Sequence, residues 1–232
     1  MQMSFKNADE VKLERIEAMG SDMGSIYHEL ANEFSWLEVK WSEYVQLFGT
    51  NPERIELLNK SAAQFFGVVE IVLMDDCLLH LAKLTDDPGK KEKRNLTIKC
   101  FIDFINESNK DLLKHLPKLI DVACVSTEFA RGWRNWRIAH FDLRHSLDGE
   151  GKPLPFASRE KVMQAIDSIR DVFNEIETHF LNSSRAPTMT AIDGDGYSLL
   201  KVLDHGVRAM RAKDERIVSG KYTVEDLIRR DL

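Results

Sequence analysis

Residues 52–86 constrain the fold of this chain more than any other stretch. Asn51-Pro52-Glu53 opens them and Asp87-Pro88-Gly89 closes them. An asparagine cap followed by proline at the first helical position starts a helix, and Pro-Gly stops one. The middle, Phe65-Phe66-Gly-Val-Val-Glu-Ile-Val-Leu-Met74, is apolar almost all round, so this longest helix is expected to be central. With only 12 glycines and 6 prolines in 232 residues, the chain lacks the turns that an all-β fold needs. It points to a few long helices joined by short loops.

The rest of the pattern agrees. Residues 8–20 predict a short polar amphipathic helix. Residues 21–49 predict a second, with Ile26, Leu30, Phe34, Leu37, Trp41, Tyr44, Val45 and Phe48 at steps of three and four. A short helix is expected over 96–106 and a long segment over 109–145, bent or broken near Pro117. In that segment the stripe Val122, Val125, Phe129, Trp133, Trp136, His140, Leu143 is expected to face inward. Residues 146–157 form a loop, and Ser158 caps a helix running to about Asn182. Residues 183–197 look like a linker or long loop, residues 198–213 like a helix, and Thr223 with Asp226 like a last capped turn. The expected architecture is all-α: an antiparallel up-and-down helical bundle over 8–182, then a linker and C-terminal helical extension over 183–232.

Charge and cysteine content narrow the function. The formal net charge of -6 excludes a generally basic nucleic-acid coat but permits a local basic site. Three widely spaced cysteines, Cys77, Cys100 and Cys124, without a Cys-x-x-Cys, predict buried free thiols in a reducing cytosol. The polar start MQMSFKNADEVK lacks a signal-peptide core, and no run of 18 apolar residues exists. A cytoplasmic protein without membrane contact is expected.

Against that acidic background, Arg131 to Arg144 concentrates four arginines, two tryptophans and His140 in fourteen residues. Arginine binds phosphate through a planar fork of donors, and histidine exchanges a proton near neutral pH. A lone histidine on an apolar stripe is more often a core residue satisfied by one hydrogen bond. Here Arg137 lies three residues before it, and Arg134 lies six before, about 120° round an α-helix and roughly 9 Å along it. Two arginines beside a core histidine are costly unless the face opens onto a cleft or subunit interface. Trp133 and Trp136 suit packing better than base stacking.

Elsewhere, Asp76, His80, Lys83 and Asp87 step along one side of the 52–86 helix. They form either a polar cleft wall or a solvated stripe. The Lys90–Arg94 run is expected to be a solvated loop. Paired Glu-x-x-His, HExxH, GxxxxGK[ST] and GxGxxG motifs are all missing, so neither metal nor cofactor is expected.

The string Arg134-Asn-Trp-Arg-Ile-Ala-His-Phe-Asp142 resembles the Arg-to-His signature of the HEPN superfamily, in its abortive-infection U-type branch. The phrase Asp76-Cys-Leu-Leu-His-Leu-Ala-Lys-Leu-Thr-Asp86 on the preceding long helix resembles a second segment of that branch, with Lys83 where arginine is more usual. The two agree in order and spacing over roughly residues 10–185. The resemblance implies a HEPN-like bundle that dimerises with its Arg–His helices facing each other. It also implies, in active members, metal-independent endoribonuclease chemistry. Carried over by position, Arg134 would bind the scissile phosphate, His140 would act on the 2′-hydroxyl or the leaving oxygen, and Asn135 would position groups. Arg137, Asp76, His80 and Lys83 would bind phosphate or wall the cleft.

Two functions follow as expectations. One is a homodimeric ribonuclease acting as a toxin or phage-defence effector, with RNA as substrate and an antitoxin as a further partner. The other is a non-catalytic module of the same fold that binds RNA, a nucleotide or a protein.

Overall fold

The computed structural model describes residues 7–49, 51–90, 94–139, 154–186 and 194–228. Among them the chain is all-α, without a strand. Helix α1 (Ala8–Met19) begins at a capping box in which Asn7 Oδ1 accepts from the Glu10 amide at 2.9 Å and Glu10 returns a bond to the Asn7 amide. Gly20, at φ 86°, turns the chain into α2 (Ser21–Phe48). Helix α3 (Pro52–Thr85) follows the Asn51 cap, with a non-helical residue, Ala62, inside it. A 3₁₀ turn (Ile98–Cys100) leads into α4 (Phe101–Phe104). Then come α5 (Lys110–Ser126), α6 (Glu128–Trp133) and a π-helical turn (Arg134–Ile138). Helix α7 (Arg159–Leu181) starts at the expected Ser158 cap and ends at Asn182 in the left-handed region. Helix α8 (Gly196–Val218) and the short α9 (Val224–Leu227) complete the order.

The described residues fall into two compact units. One comprises 7–41 and 74–186, the other 42–73 and 194–228. The core of the first is aromatic: Phe34 stacks on Phe173 at 5.0 Å, and Tyr27 and Phe101 meet Phe173 edge-on at 5.6 and 5.8 Å. Helix α5 packs along α7, burying Leu112, Leu116, Ile120 and Ala123 against Val162, Ile166 and Ile169. A charged layer borders this core. Arg170 pairs with buried Glu38 at 2.8 Å. Arg185 donates to Ser35 at 2.6 Å and lies over the Phe34 and Phe173 rings. The first residues of the expected linker are therefore fixed to the bundle. The Tyr27 hydroxyl donates to Glu177 at 2.5 Å, and burial together with that carboxylate pushes the phenol far above its ordinary range.

The second unit is smaller. Leu47, Leu58, Phe66 and Leu200 form its buried cluster. Glu43 accepts from the Gly196 amide at 2.7 Å and Gln46 from the Tyr197 amide at 3.0 Å, so α2 supplies acceptors to the N-terminus of α8.

Four expectations need correction. The middle of α3 is not central: Phe65, Val68, Ile71 and Val72 are each more than half exposed, because only the side bearing Phe66 is covered. The break after α5 falls at Thr127, while Pro117 lies inside the helix. Val122 and Val125 of the expected stripe face solvent, because α5 packs through Leu112, Leu116, Ile120 and Ala123, and Thr127, not Val125, continues that buried row. Of the thiols, Cys77 and Cys100 are buried but Cys124 is only half-buried. Burial pushes the Cys77 thiol up to about 12, which leaves it inert.

Gly24 sets how closely α1 approaches α2. A Cβ there would lie 2.5 Å from the Arg15 carbonyl oxygen and 2.6 Å from the Ile16 Cα. Gly24→Ala gains about 1 kcal/mol of helix propensity, but overpacking against a backbone costs about 1–3 kcal/mol. The expected result is a net loss of about 1 kcal/mol or more, read as a lowered midpoint in urea unfolding. An unchanged midpoint would mean that the two helices do not pack this closely.

Candidate functional site

The C-terminal half of α3 carries Asp76, His80 and Lys83 along one face, as the four- and three-residue steps dictate. Helix α2 lies alongside and contributes Glu33 and Lys40. Lys40 Nζ donates to Asp76 Oδ2 at 2.7 Å. His80 is buried, with Nδ1 3.2 Å from Asp76 Oδ2 and Nε2 3.2 Å from Glu33 Oε2. Burial alone would raise the Asp76 carboxyl. The Lys40 hydrogen bond and the charges of His80 and Lys40 outweigh it and hold the group below its usual value.

Above this ladder a cavity of about 340 Å³ opens between α2, the end of α3 and the loop before the 3₁₀ turn. Leu30, Leu84 and Leu96 give it apolar walls. Glu33, His80, Lys83 and Asp86 give it a polar rim.

The Arg134 segment reaches this rim through one ion pair, Arg134 to Asp86, with both side chains about three-quarters buried. Arg134 Nε also donates to Asn135 Oδ1 at 3.0 Å. The backbone there is unusual: the Ala139 amide bonds the Arg134 carbonyl, five residues back, at 2.9 Å. Such π turns occur mostly as single insertions, frequently at functional sites.

Four hydrogen bonds and one close approach place the segment. Arg131 Nη1 donates to Thr85 Oγ1 at 3.0 Å, while Nη2 donates to the Cys124 carbonyl. Thr85 and Thr127 share a hydroxyl hydrogen bond of 2.7 Å. Trp133 Nε1 donates to the Pro155 carbonyl at 2.7 Å, and a Cβ on Gly132 would lie 2.8 Å from Pro155 Cγ. Residue 132 must therefore be glycine for the returning chain to lie so close.

The structure thus brings Arg134 and Asn135 together, and Asp76 with His80. It puts His80 and Lys83 on one cavity. Arg137 is exposed, with its guanidinium 5.7 Å from the Trp133 ring centre. Its charge acts on Asp75, whose carboxyl is raised by burial and lowered by Arg137, with burial dominant. His140 lies outside the described residues. Asp87 leaves the polar face because α3 stops at Thr85, and its Oδ1 accepts from the Gly89 amide at 2.7 Å. Asp86 takes the place on the cavity rim. Sequence reasoning did not single out Glu33, Lys40 or Asp86, and it noted Arg131 only as one of four clustered arginines, without a role. Of the other three, only Asp86 had a signal, as the last residue of the Leu-Thr-Asp phrase. In the Lys90–Arg94 run, Arg94 is not simply solvated but pairs with Asp103. Among the described residues no group of three His, Cys, Asp or Glu side chains could hold a metal ion, and no helix is long and apolar enough to cross a membrane.

Comparison with known proteins adds one finding. A family model described as AbiU2, a HEPN-type domain, matches residues 21–196, which include every described residue of this site. No curated protein and no solved structure matches the chain.

Arg131 offers a test of how the segment is held. Hydrogen bonds from a charged donor contribute about 1.5–3 kcal/mol each. Arg131→Ala should cost about 2–3 kcal/mol of unfolding free energy in urea, and Arg131→Lys should recover less than half, because an ammonium cannot span both helix ends. A loss under about 0.5 kcal/mol, the range of ordinary surface changes, would show that the guanidinium does not fasten them.

Proposed function

The chain belongs to the AbiU2 family of HEPN-type, abortive-infection domains, and on that premise we propose that it is a metal-independent endoribonuclease whose phosphate clamp is Arg134. The observation that carries this reading is the position of Arg134. It is three-quarters buried, braced by Asn135, and paired with Asp86, a residue that lines a cavity.

RNA brings its own nucleophile. The 2′-oxygen attacks the adjacent phosphorus, the bond from phosphorus to the 5′-oxygen breaks, and a 2′,3′-cyclic phosphate and a 5′-hydroxyl result. His140 would take the 2′-hydroxyl proton or protonate the leaving oxygen. Arg134 would exchange Asp86 for a non-bridging phosphate oxygen and neutralise the charge that grows there. Asn135 would hold the guanidinium by its Nε. In a two-fold homodimer, two arginines and two histidines would face one cleft. An effector of this kind would act as a toxin on cellular RNA during phage infection.

A second reading draws on the same ion pair. Asp86 already occupies the Arg134 guanidinium, which suits a module that holds RNA, a nucleotide or a protein partner without cutting.

Purified protein incubated with RNA in EDTA separates the two readings. Wild-type protein should release fragments with 2′,3′-cyclic phosphate ends. His140→Ala should lower the rate by about 10²–10⁴-fold and Arg134→Ala by about 10²–10³-fold, each with unchanged circular dichroism. Salt-dependent binding without fragments, in wild type and His140→Ala alike, would put the binding module in place of the enzyme. Asp86→Asn should tighten RNA binding severalfold by removing the carboxylate that competes with phosphate. Weakened binding would mean that Asp86 positions Arg134 instead.

A further inference from the structure

The cavity beside Arg134 has features that a phosphate clamp does not use. Its depth is apolar: Leu30 and Leu84 are almost wholly buried, and Leu96 closes the outer side at 45% exposure. Its volume of about 340 Å³ lies at the small end of the range for small-molecule sites, roughly 300–1,000 Å³. Three charged groups line it: the Glu33 carboxylate from α2, the Lys83 ammonium from α3, and just past α3 the Asp86 carboxylate, which is already paired with Arg134. Glu33 is half exposed yet oriented, because Oε2 lies 3.2 Å from His80 Nε2, and His80 is itself held by Asp76, which Lys40 pairs. A ladder of four side chains thus aims one carboxylate at an apolar slot.

We propose that this slot holds a guanine base, with Glu33 reading its donor edge. A carboxylate can only accept hydrogen bonds. Guanine is the common base that presents two neighbouring donors on one edge, the N1–H and the N2 amino group. Adenine and cytosine place an acceptor nitrogen beside their amino group, and uracil flanks its one N–H with two carbonyls. Each of those would turn a lone pair toward Glu33 and leave a buried repulsion. On guanine's adjoining edge O6 and N7 are acceptors, which suits the Lys83 ammonium. The leucines cover the ring faces. The proposal rests on the Arg134 reading only for its source, since a base in RNA and a base in a free guanine nucleotide share this chemistry.

The test is equilibrium titration of the full chain with GMP, IMP, AMP, CMP and UMP. A parallel arm uses oligoadenylates carrying one guanosine or one inosine. IMP differs from GMP by the N2 amino group alone, so the pair isolates one donor. GMP should bind about tenfold tighter than IMP or more, and the single-guanosine oligonucleotide should outbind its inosine counterpart by a similar factor. Glu33→Gln, nearly isosteric, should bring both ratios close to one. Leu96→Trp should block the slot from its half-exposed rim without altering the circular dichroism. Equal binding of GMP and IMP in both arms, a ratio that survives Glu33→Gln, or no binding of any probe would overturn the proposal. RNA binding without guanosine preference would overturn the pocket and leave the Arg134 clamp standing. GMP selectivity without RNA binding would keep the pocket and remove the clamp. A preference seen only in the oligonucleotide would support the pocket and assign RNA as its source.

Discussion

Two helix C-termini meet at one guanidinium, and the site depends on it. The last residue of α3, Thr85, and the last turn of α5, at Cys124, both turn carbonyl oxygens toward Arg131. Carbonyls at a helix end lack partners within the helix and carry the negative end of its dipole. A planar cation with several donors satisfies both ends at once, which water or a lysine would do less well. The Thr85–Thr127 hydroxyl pair closes the same junction. Arg131 and Arg134 are three residues apart, and Thr85 and Asp86 are neighbours. Fixing the first of each pair therefore delivers the second: Arg134 arrives at Asp86 because Arg131 has arrived at Thr85.

The helices were legible in the sequence wherever a local cap decided them. Asn51 and Ser158 each accept a bond from the backbone of their own first turn, so three residues of context were enough. The break between α5 and α6 was not local in this sense. Pro117 is tolerated inside α5 although it supplies no N–H. Thr127 ends the helix because its hydroxyl bonds the Ala123 carbonyl while Arg131 draws on Cys124. Nothing near Thr127 in sequence announces the Arg131 contact. The exposed middle of α3 escaped for a related reason: an apolar segment says that it can be buried, not how many neighbours will cover it.

The site divides the same way. Asp76 with His80, and Arg134 with Asn135, are pairs within one segment, and their spacing announced them. Glu33, Lys40 and Asp86 join them only through contacts made across tens of residues. Helical arithmetic chose Asp87 for the polar face because it extended α3 past its end. Once the helix stops at Thr85, Asp87 serves the turn at Gly89 and Asp86 takes the rim. The same arithmetic set Arg134 and His140 about 120° apart. It does not apply across residues 134–138, where a bond spanning five residues replaces the α-helical one.

Charge explains why such a site would be narrow. A chain of net charge -6 repels a polyanion at long range. Within the Debye length, about 8 Å at physiological salt, the balance is set by individual groups. Three carboxylates, Glu33, Asp76 and Asp86, stand around the cavity and its ladder. Two are engaged by cations, Asp76 by Lys40 and Asp86 by Arg134. A phosphate that takes Arg134 releases Asp86 close to its own negative charge, so clamp binding alone gains little. A base that satisfies Glu33 and leaves bulk water for the leucine walls adds what the clamp lacks. In the proposed reading, recognition would come from a ligand that engages both features together. An RNA that offered only its backbone would meet the repulsion without the compensating contacts.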